Sequence, residues 1–347
     1  MRKVIPLTLL LASAASAQQR PVFTAETALD VANWTAQDLS EDGWWLAASS
    51  ATRRGALGVD HRRDGDPTYI RPQLARLWVA NTATGERREI FKEPRTGRAA
   101  AWSPDAGRLA AIVEEGDAFA LAIWERATGK LTWPRLPADK YVAENSELAW
   151  SRDGSRVLFA LRSRAWKERV TRRFEEMTNG PVFVQSSKDP FLAWDDLRRE
   201  GFWRSIAAYE IRSGKIVEVL PEGRVTTWNL AEDDSTVVWQ EDVTPKTDYD
   251  VIFGTETRLL SDHLTGRPSE RLTVLPSVKG LSLVWTRDGL RFAYAKDGRL
   301  YVGSARDTLR RQLAGRDSAA ADPTPPARPM TAPPRSTAGT FHVLVIV

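Results

Sequence analysis

Residues able to do chemistry are sparse in this sequence and poorly grouped. It has no cysteine and three histidines, His61, His263 and His342. Without cysteine there is no thiolate nucleophile, no disulfide framework and no cysteine-ligated zinc site. No G-x-S-x-G elbow, Walker A loop, G-x-G-x-x-G turn after a strand or H-E-x-x-H helix occurs. A Ser-His-Asp triad meets only in space, yet a nucleophilic serine needs a strained elbow and an oxyanion hole, and no segment offers either. No catalytic residue, metal-ligand set or cofactor is therefore assigned. His61 stands near Asp60, Asp64 and Asp66, but these lie among arginines, so solvated loop charge is expected over a metal site.

One pair remains, Glu175 and Glu176, within RSRAWKERVTRRFEEMTNG (162–180). Adjacent carboxylates can hold a substrate's amino terminus as paired anions. The other reading is a solvated helix face with Arg172 and Arg173 as partners, the commoner fate of such charge. The spacing predicts a helix here that Asn179-Gly180 ends. PVFVQSSKDPFLAWDDLRREGFWRS then reads as an extended piece followed by a short helix. Together these make an insertion over about 161–204, and loops of this length inside a compact fold are usually functional or partner-facing.

A repeated hairpin must position that insertion. AWSPDAGRLAAI at Ala101 is a strand, a Ser-Pro-Asp-x-Gly turn and a returning apolar strand. Pro104 presets φ, Asp105 bonds its own backbone, and Gly107 is expected to take the positive φ. Variants begin at Asp38, Ala149, Trp228 and Val284, with Asp42, Asp153, Asp233 and Asp288 at the equivalent place. A second phrase falls between them: LWVANTATGERREI, AIWERATGKLT and AAYEIRSGKIVEV, each a strand, a Gly turn and a return. Two hairpins per unit of about 40–50 residues make a four-stranded antiparallel blade. The expected fold is an all-β propeller with five visible units, complete or incomplete as a ring, carrying one helical insertion. Trp102, Trp150, Trp228 and Trp285 recur at equivalent places and are assigned to the core between blades rather than to a sugar-binding platform.

The ends differ from this body. Residues 1–17 carry Arg2 and Lys3, an apolar run and Ala15-Ser16-Ala17, which is a secretory signal peptide cut before Gln18. Thr24 is set to cap a short helix, and Arg53 to Pro72 reads as a long loop in the first blade. The propeller is expected over 18–313. Residues 314–340 form a Pro-rich linker, and 341–347, FHVLVIV, are a stray apolar strand or the start of a further segment. A net charge of +4 over 347 residues, with both signs interspersed, gives no basis for nucleic-acid binding. No later stretch has the length of a membrane span. The mature chain is expected to be exported, to the periplasm or beyond the cell.

The WSPDxGRLA hairpins, the FTAETALDVAN start, NGPVFVQSSKDPFLAWDDLRR and KTDYDVIFG (246–254) resemble the propeller region of secreted bacterial prolyl oligopeptidase family serine peptidases. The likeness covers roughly residues 23–311; the hairpins alone are shared with TolB-like propellers. The resemblance implies a propeller that restricts access of peptide substrates to an α/β-hydrolase domain holding the catalytic Ser, Asp and His. That hydrolase is missing from the sequence, so no catalytic residue carries over, and a truncated, inactive chain is expected. In the dipeptidyl-peptidase branch a glutamate pair on a propeller insertion binds the substrate amino terminus. Glu175 and Glu176 sit in a comparable insertion within a different local motif. The alternative is a free-standing periplasmic TolB-like propeller that binds a protein partner.

Overall fold

A computed structural model of the chain describes residues 23–58, 60–71, 73–180, 182–186, 188–248, 254–264 and 271–315. The signal segment 1–17, the linker beyond Gly315, the run 341–347 and His342 lie outside the described residues. Helix α1 (Ala25–Asp30) begins at Thr24, whose hydroxyl accepts the Thr27 N–H at 3.2 Å, the cap that the sequence predicts. Five antiparallel units follow. The first holds β1 (Ala32–Leu39), β2 (Trp45–Thr52), β3 (Leu74–Asn81) and β4 (Arg87–Glu89). The second holds β5 (Arg95–Trp102), β6 (Arg108–Glu115), β7 (Ala118–Glu125) and β8 (Leu131–Thr132).

A short strand, β9 (Lys140–Val142), bridges to the third unit by pairing with strands on both sides. That unit holds β10 (Leu148–Trp150), β11 (Arg156–Ser163), β12 (Trp203–Glu210) and the first part of β13 (Ile216–Leu230). The rest of β13 starts the fourth unit, with β14 (Thr236–Asp242), β15 (Thr257–His263) and β16 (Leu272–Leu275). The fifth is a separate sheet of β17 (Val284–Trp285), β18 (Arg291–Lys296), β19 (Arg299–Ser304) and β20 (Arg310–Ala314). Ala314, placed in the linker by composition, instead pairs with Leu300, because β20 continues past the last sequence signal.

The period of two explains how the units stack. In β6, Leu109 and Ala111 pack with Ala47 and Val79 of the first unit, while Ala110 and Ile112 pack with Val157 and Phe159 of the third. Leu158 and Ala160 turn the other way, toward Val237 and Trp239, and Val238 meets Phe292 and Tyr294 of the fifth. Strands covered on both faces must be apolar at every position, which is why LAAIV and VLFAL show no alternation. Trp102 and Trp228 are buried as expected; Trp150 and Trp285 are half-buried, each packed on the same inter-unit cores. Trp44 lies just ahead of β2 and is exposed.

The two outer units each keep one uncovered face. Trp34 and Leu39 on the first are more than half exposed, and Val284 and Leu313 on the fifth are exposed beside a cavity of about 1000 Å³. These are the positions that in the middle units meet the next blade. Among the described residues the ring is open.

The inner hairpins share one turn. In four of them a Ser or Thr hydroxyl, two residues before the aspartate, donates to its carboxylate at 2.5–2.6 Å. The same oxygen accepts the amide five residues on at 2.9–3.1 Å. The carboxylate also takes an amide two residues on, as from Ser155 to Asp153 at 2.9 Å. In the fourth unit Ala231 replaces the hydroxyl, and Asp233 takes Ser235 N–H, Thr236 N–H and Thr236 Oγ1 at 2.6–2.9 Å instead. The residue after the aspartate is left-handed in all five turns: Gly43, Ala106, Gly154, Asp234 and Gly289. This corrects the expectation for Gly107. Its neighbour Ala106, at φ 52°, makes the reversal, while Gly107 N–H donates to Asp105 at 3.0 Å.

Those donors hold the turn carboxyls below their ordinary value. The hydroxyls of Ser40, Ser103, Ser151 and Thr286 act most strongly on Asp42, Asp105, Asp153 and Asp288, and Asp153 falls to about 2. At Asp233 burial pushes upward, but hydrogen bonds from Thr236, Ser235 and Arg306 outweigh it. A carboxyl depressed on folding stabilises fully above its unfolded value of about 3.9 and loses that stabilisation as the pH drops through the folded value. Thermal melts should therefore show Tm falling between about pH 4 and pH 2, with Asp153→Asn flattening that slope. Gly154→Ala forces an L-residue into the left-handed region and should lower stability by about 1–2 kcal/mol in urea unfolding.

Candidate functional site

In each unit the aspartate turn joins the first strand to the second, so the second-to-third connection emerges at the opposite end. There the lengths differ sharply. In the second and fifth units the connection is tight: Gly116 is left-handed in one, and Asp297 and Gly298 are left-handed in the other. In the first, third and fourth units it is long, spanning 53–73, 164–202 and 243–256. These three meet over one end of the propeller and form a cap.

The third unit supplies its body. Helix α2 (Arg164–Thr178) starts at Ser163, whose hydroxyl accepts Trp166 N–H at 3.2 Å, and ends at Asn179, where the sequence predicts. Its buried stripe is Trp166, Val170, Phe174 and Met177, spaced for one helical face. That stripe packs with Tyr141 and with Ala193 and Leu197 of α3 (Ala193–Glu200). Trp166 Nε1–H also donates to Glu200 at 3.1 Å.

Two stitches tie the cap down. On the first-unit side Thr68 Oγ1 lies 3.2 Å from Thr171 Oγ1, and a Cβ on Gly65 would touch the Trp194 ring at 3.4 Å. On the fourth-unit side Arg199 Nε donates to Asp242 at 2.7 Å with both side chains buried, and Arg199 Nη2 donates to Thr244 O at 3.0 Å. Thr247 N–H donates to Pro190 O at 2.9 Å, and its hydroxyl donates to Asp195 at 3.0 Å. Two stretches quoted above for their resemblance thus meet at Thr247, which bonds Pro190 and Asp195; residues 249–253 lie outside the described residues.

Beneath the cap sits an ionic layer that sequence reasoning missed. Arg162 pairs with Glu144, donates to Trp203 O at 3.2 Å and lies 4.0 Å over the Trp166 ring. Arg204 forks onto Glu147 at 2.7 and 3.1 Å and also donates to Val225 O and Thr226 O, each at 2.8 Å. Burial pulls the Arg204 guanidinium down despite Glu147, and burial with the Glu144 charge pushes the Tyr141 phenol up. Charged residues inside apolar strands look like surface positions in sequence, and only the fold reveals the pairing. The acids and arginines satisfy one another, so the layer holds shape rather than reacting.

Glu175 and Glu176 both lie exposed on α2, and Glu176 is 3.9 Å from Arg173. In the first-unit loop, Asp60 and Asp64 pair with Arg62 and Arg71 in solvent, as expected. Asp66 departs from the expectation of solvated charge. It is buried, pairs with Arg63, and accepts Thr68 N–H and Oγ1–H at 2.8 Å, which braces the loop that touches α2. Beside α2 lies a cleft of about 380 Å³, and around it Val182, Val184, Leu192 and Trp194 stand exposed. Among the described residues no cluster of three or more His, Asp or Glu could hold a metal, and no helix is long and apolar enough to cross a membrane.

Breaking the fourth-unit stitch tests the cap. Arg199→Ala leaves Asp242 buried and unpaired and should cost about 3–5 kcal/mol. Limited proteolysis should then cut within 182–192 while the blades stay intact, and Arg199→Met with Asp242→Leu should recover much of the loss.

No family model matches the chain, and no curated relative does. Solved structures do. TolB from Acinetobacter baumannii is 12% identical at TM-score 0.41, over 80% of this chain and 53% of that one. Oligogalacturonate lyase from Vibrio parahaemolyticus is 10% identical at TM-score 0.49, over 80% and 64%. The β-propeller domain of the Trilobed protease from Pyrococcus furiosus is 14% identical at TM-score 0.41, over 82% and 71%. The chain spans about half the length of that TolB and under two thirds of that lyase. At this distance no residue role, substrate or partner passes from them to this chain. By its own sheets and turns the chain is a β-propeller region, and its structural neighbours include TolB and a protease's propeller domain.

Proposed function

We propose that this chain is a non-catalytic propeller that gates and positions peptides for an α/β-hydrolase of the prolyl oligopeptidase kind, in the periplasm or outside the cell. The observation that carries the reading is the stitched cap. Stretches that resemble peptidase propellers contribute to it: Asp195 accepts the Thr247 hydroxyl, Arg199 donates to Asp242, and Trp194 lies against Gly65. In this reading the cap covers one end of the stacked units, where a peptide would enter. Its exposed Val182, Val184, Leu192 and Trp194 suit a second module docking there, since apolar patches on a soluble surface mark interaction sites. In this reading Glu175 and Glu176 are solvent-facing anions at the cap, available to a peptide amino terminus.

The purified chain should release no product from prolyl or aminoacyl p-nitroanilides and take no fluorophosphonate label. It should bind the α/β-hydrolase domain of such a peptidase from the same genome, and Val184→Asp with Trp194→Asp should weaken that binding at least tenfold, read by calorimetry. Serine-directed labelling of the chain itself, or no binding to the hydrolase, overturns the reading.

A further inference from the structure

Between the fourth and fifth units lies a cavity of about 340 Å³, within the size range of small-molecule sites. Thr286 and Gly289 of the fifth aspartate turn line it, so it sits at the end of the propeller away from the cap. The face beneath it departs from the pattern that stacks the other units. In the second unit the face that receives the third carries two cross-strand pairs, Ala101 with Ala110 and Ala99 with Ile112. Trp150 of the third unit packs in the same cluster and donates its indole N–H to Ala101 O at 2.9 Å. In the third unit the pair nearest the turn is Ala149 with Leu158, again apolar and packed toward the fourth. At the same register the fourth unit carries Asn229 with Val238 and Thr227 with Gln240. Polar side chains thus replace alanine and isoleucine on a face that receives a blade, and such exchanges at packing positions call for a functional reason.

Trp285, which its repeat position assigns to the core, does not seat as Trp150 does. It is half-buried, its ring keeps to Phe292 at 4.9 Å between centroids, and its indole N–H has no partner among the described residues. Asn229 and Thr227 are exposed, and their side chains make no hydrogen bond among the described residues either. Gln240 Oε1 accepts the Thr257 hydroxyl at 2.9 Å, which orients the amide and leaves its Nε2 to donate. Gly289 keeps the turn clear of this wall: a Cβ there would stand 3.1 Å from Asn229 Nδ2. Arg287, the one charged residue lining the cavity among the described residues, pairs with Glu232 at 3.5 Å. An indole on one side, with amides and a hydroxyl on the other and no free charge, suits a ring that is apolar on its face and polar at its rim. A pyranose has that character: its C–H groups lie on the negative face of an indole while its hydroxyls pair with amides. An aromatic or prolyl side chain would leave the polar wall desolvated and unpaired.

We propose that this cavity binds one pyranose ring of a neutral sugar, stacked on Trp285 and hydrogen-bonded by Thr227, Asn229 and Gln240. The site is separate from the cap and does not depend on the gating reading.

The test titrates the full chain by calorimetry with maltose, cellobiose, lactose and N-acetylglucosamine, and reads the bound face by saturation-transfer NMR. At least one of these should bind saturably, with transfer strongest to ring C–H protons. Asn229→Ala with Thr227→Ala, which installs the residues of the second unit, should weaken that sugar by about fivefold or more without lowering Tm. Trp285→Ala should weaken it by about tenfold or more, and Trp285→Phe should restore part of the loss. No saturable binding of any of the four sugars, or affinity unchanged in the Asn229→Ala, Thr227→Ala double variant, overturns the proposal. None of these readouts involves the cap or a hydrolase, so the gating reading stands or falls separately.

Discussion

The aspartate turn is the constraint on which the rest of the structure depends. A two-strand hairpin is marginal by itself, and its register slips unless the turn fixes it. In four of the five turns one carboxylate takes a hydroxyl and an amide while that hydroxyl takes a second amide, so three polar bonds lock the inner pair, as at Asp153. The turns also link neighbouring units. Asp38 accepts Trp102 N–H at 2.7 Å, Asp234 accepts Arg152 N–H at 2.6 Å, and Glu232 N–H donates to Asp288 O at 3.0 Å. Each turn thereby sets both the register within a blade and the position of the blade beside it.

Fixing one end leaves the other free to vary. The connections opposite the aspartate turns carry no stacking duty, so they range from a two-residue reversal at Asp297-Gly298 to the helical insertion of the third unit. That freedom is where a repeat fold can host function without loss of its core. The cap uses it: an apolar cluster packs α2 on α3, and polar contacts pin the loops of the first and fourth units to that body. Buried pairs such as Arg199–Asp242 and Arg162–Glu144 add little net stability over apolar replacements, but each fixes a unique geometry because any other arrangement strands a charge.

Local chemistry was legible wherever it acts over a few residues. Thr24 as a cap, the end of α2 at Asn179 and the Asp297-Gly298 reversal all sit where the sequence places them. The local error at Gly107 arose because Ala106 takes a left-handed conformation that alanine disfavours. The hydrogen bonds around Asp105 outweigh that local preference. Burial was less legible. Asp66 reads as one more loop carboxylate until the fold covers it with Arg63 and Thr68, and Arg204 reads as a strand surface residue until Glu147 lies beside it.

By itself the sequence determined the class of fold and made five units visible, because turn chemistry and two-sided apolar strands are short-range patterns that repeat. It also marked the insertion, and singled out 179–199 and 246–254 by their resemblance to peptidase propellers. Only the tertiary structure decided that Asp195 meets Thr247, that α2 meets the first-unit loop, and that Asp189 and Asp196 line one cleft while Glu175 and Glu176 stand exposed on α2. The reason is physical. Contacts such as Thr68 with Thr171 or Arg199 with Asp242 join residues far apart in the chain, and no local preference encodes them. They exist because the blades, stacked by their cores, carry the loop ends to within reach of one another.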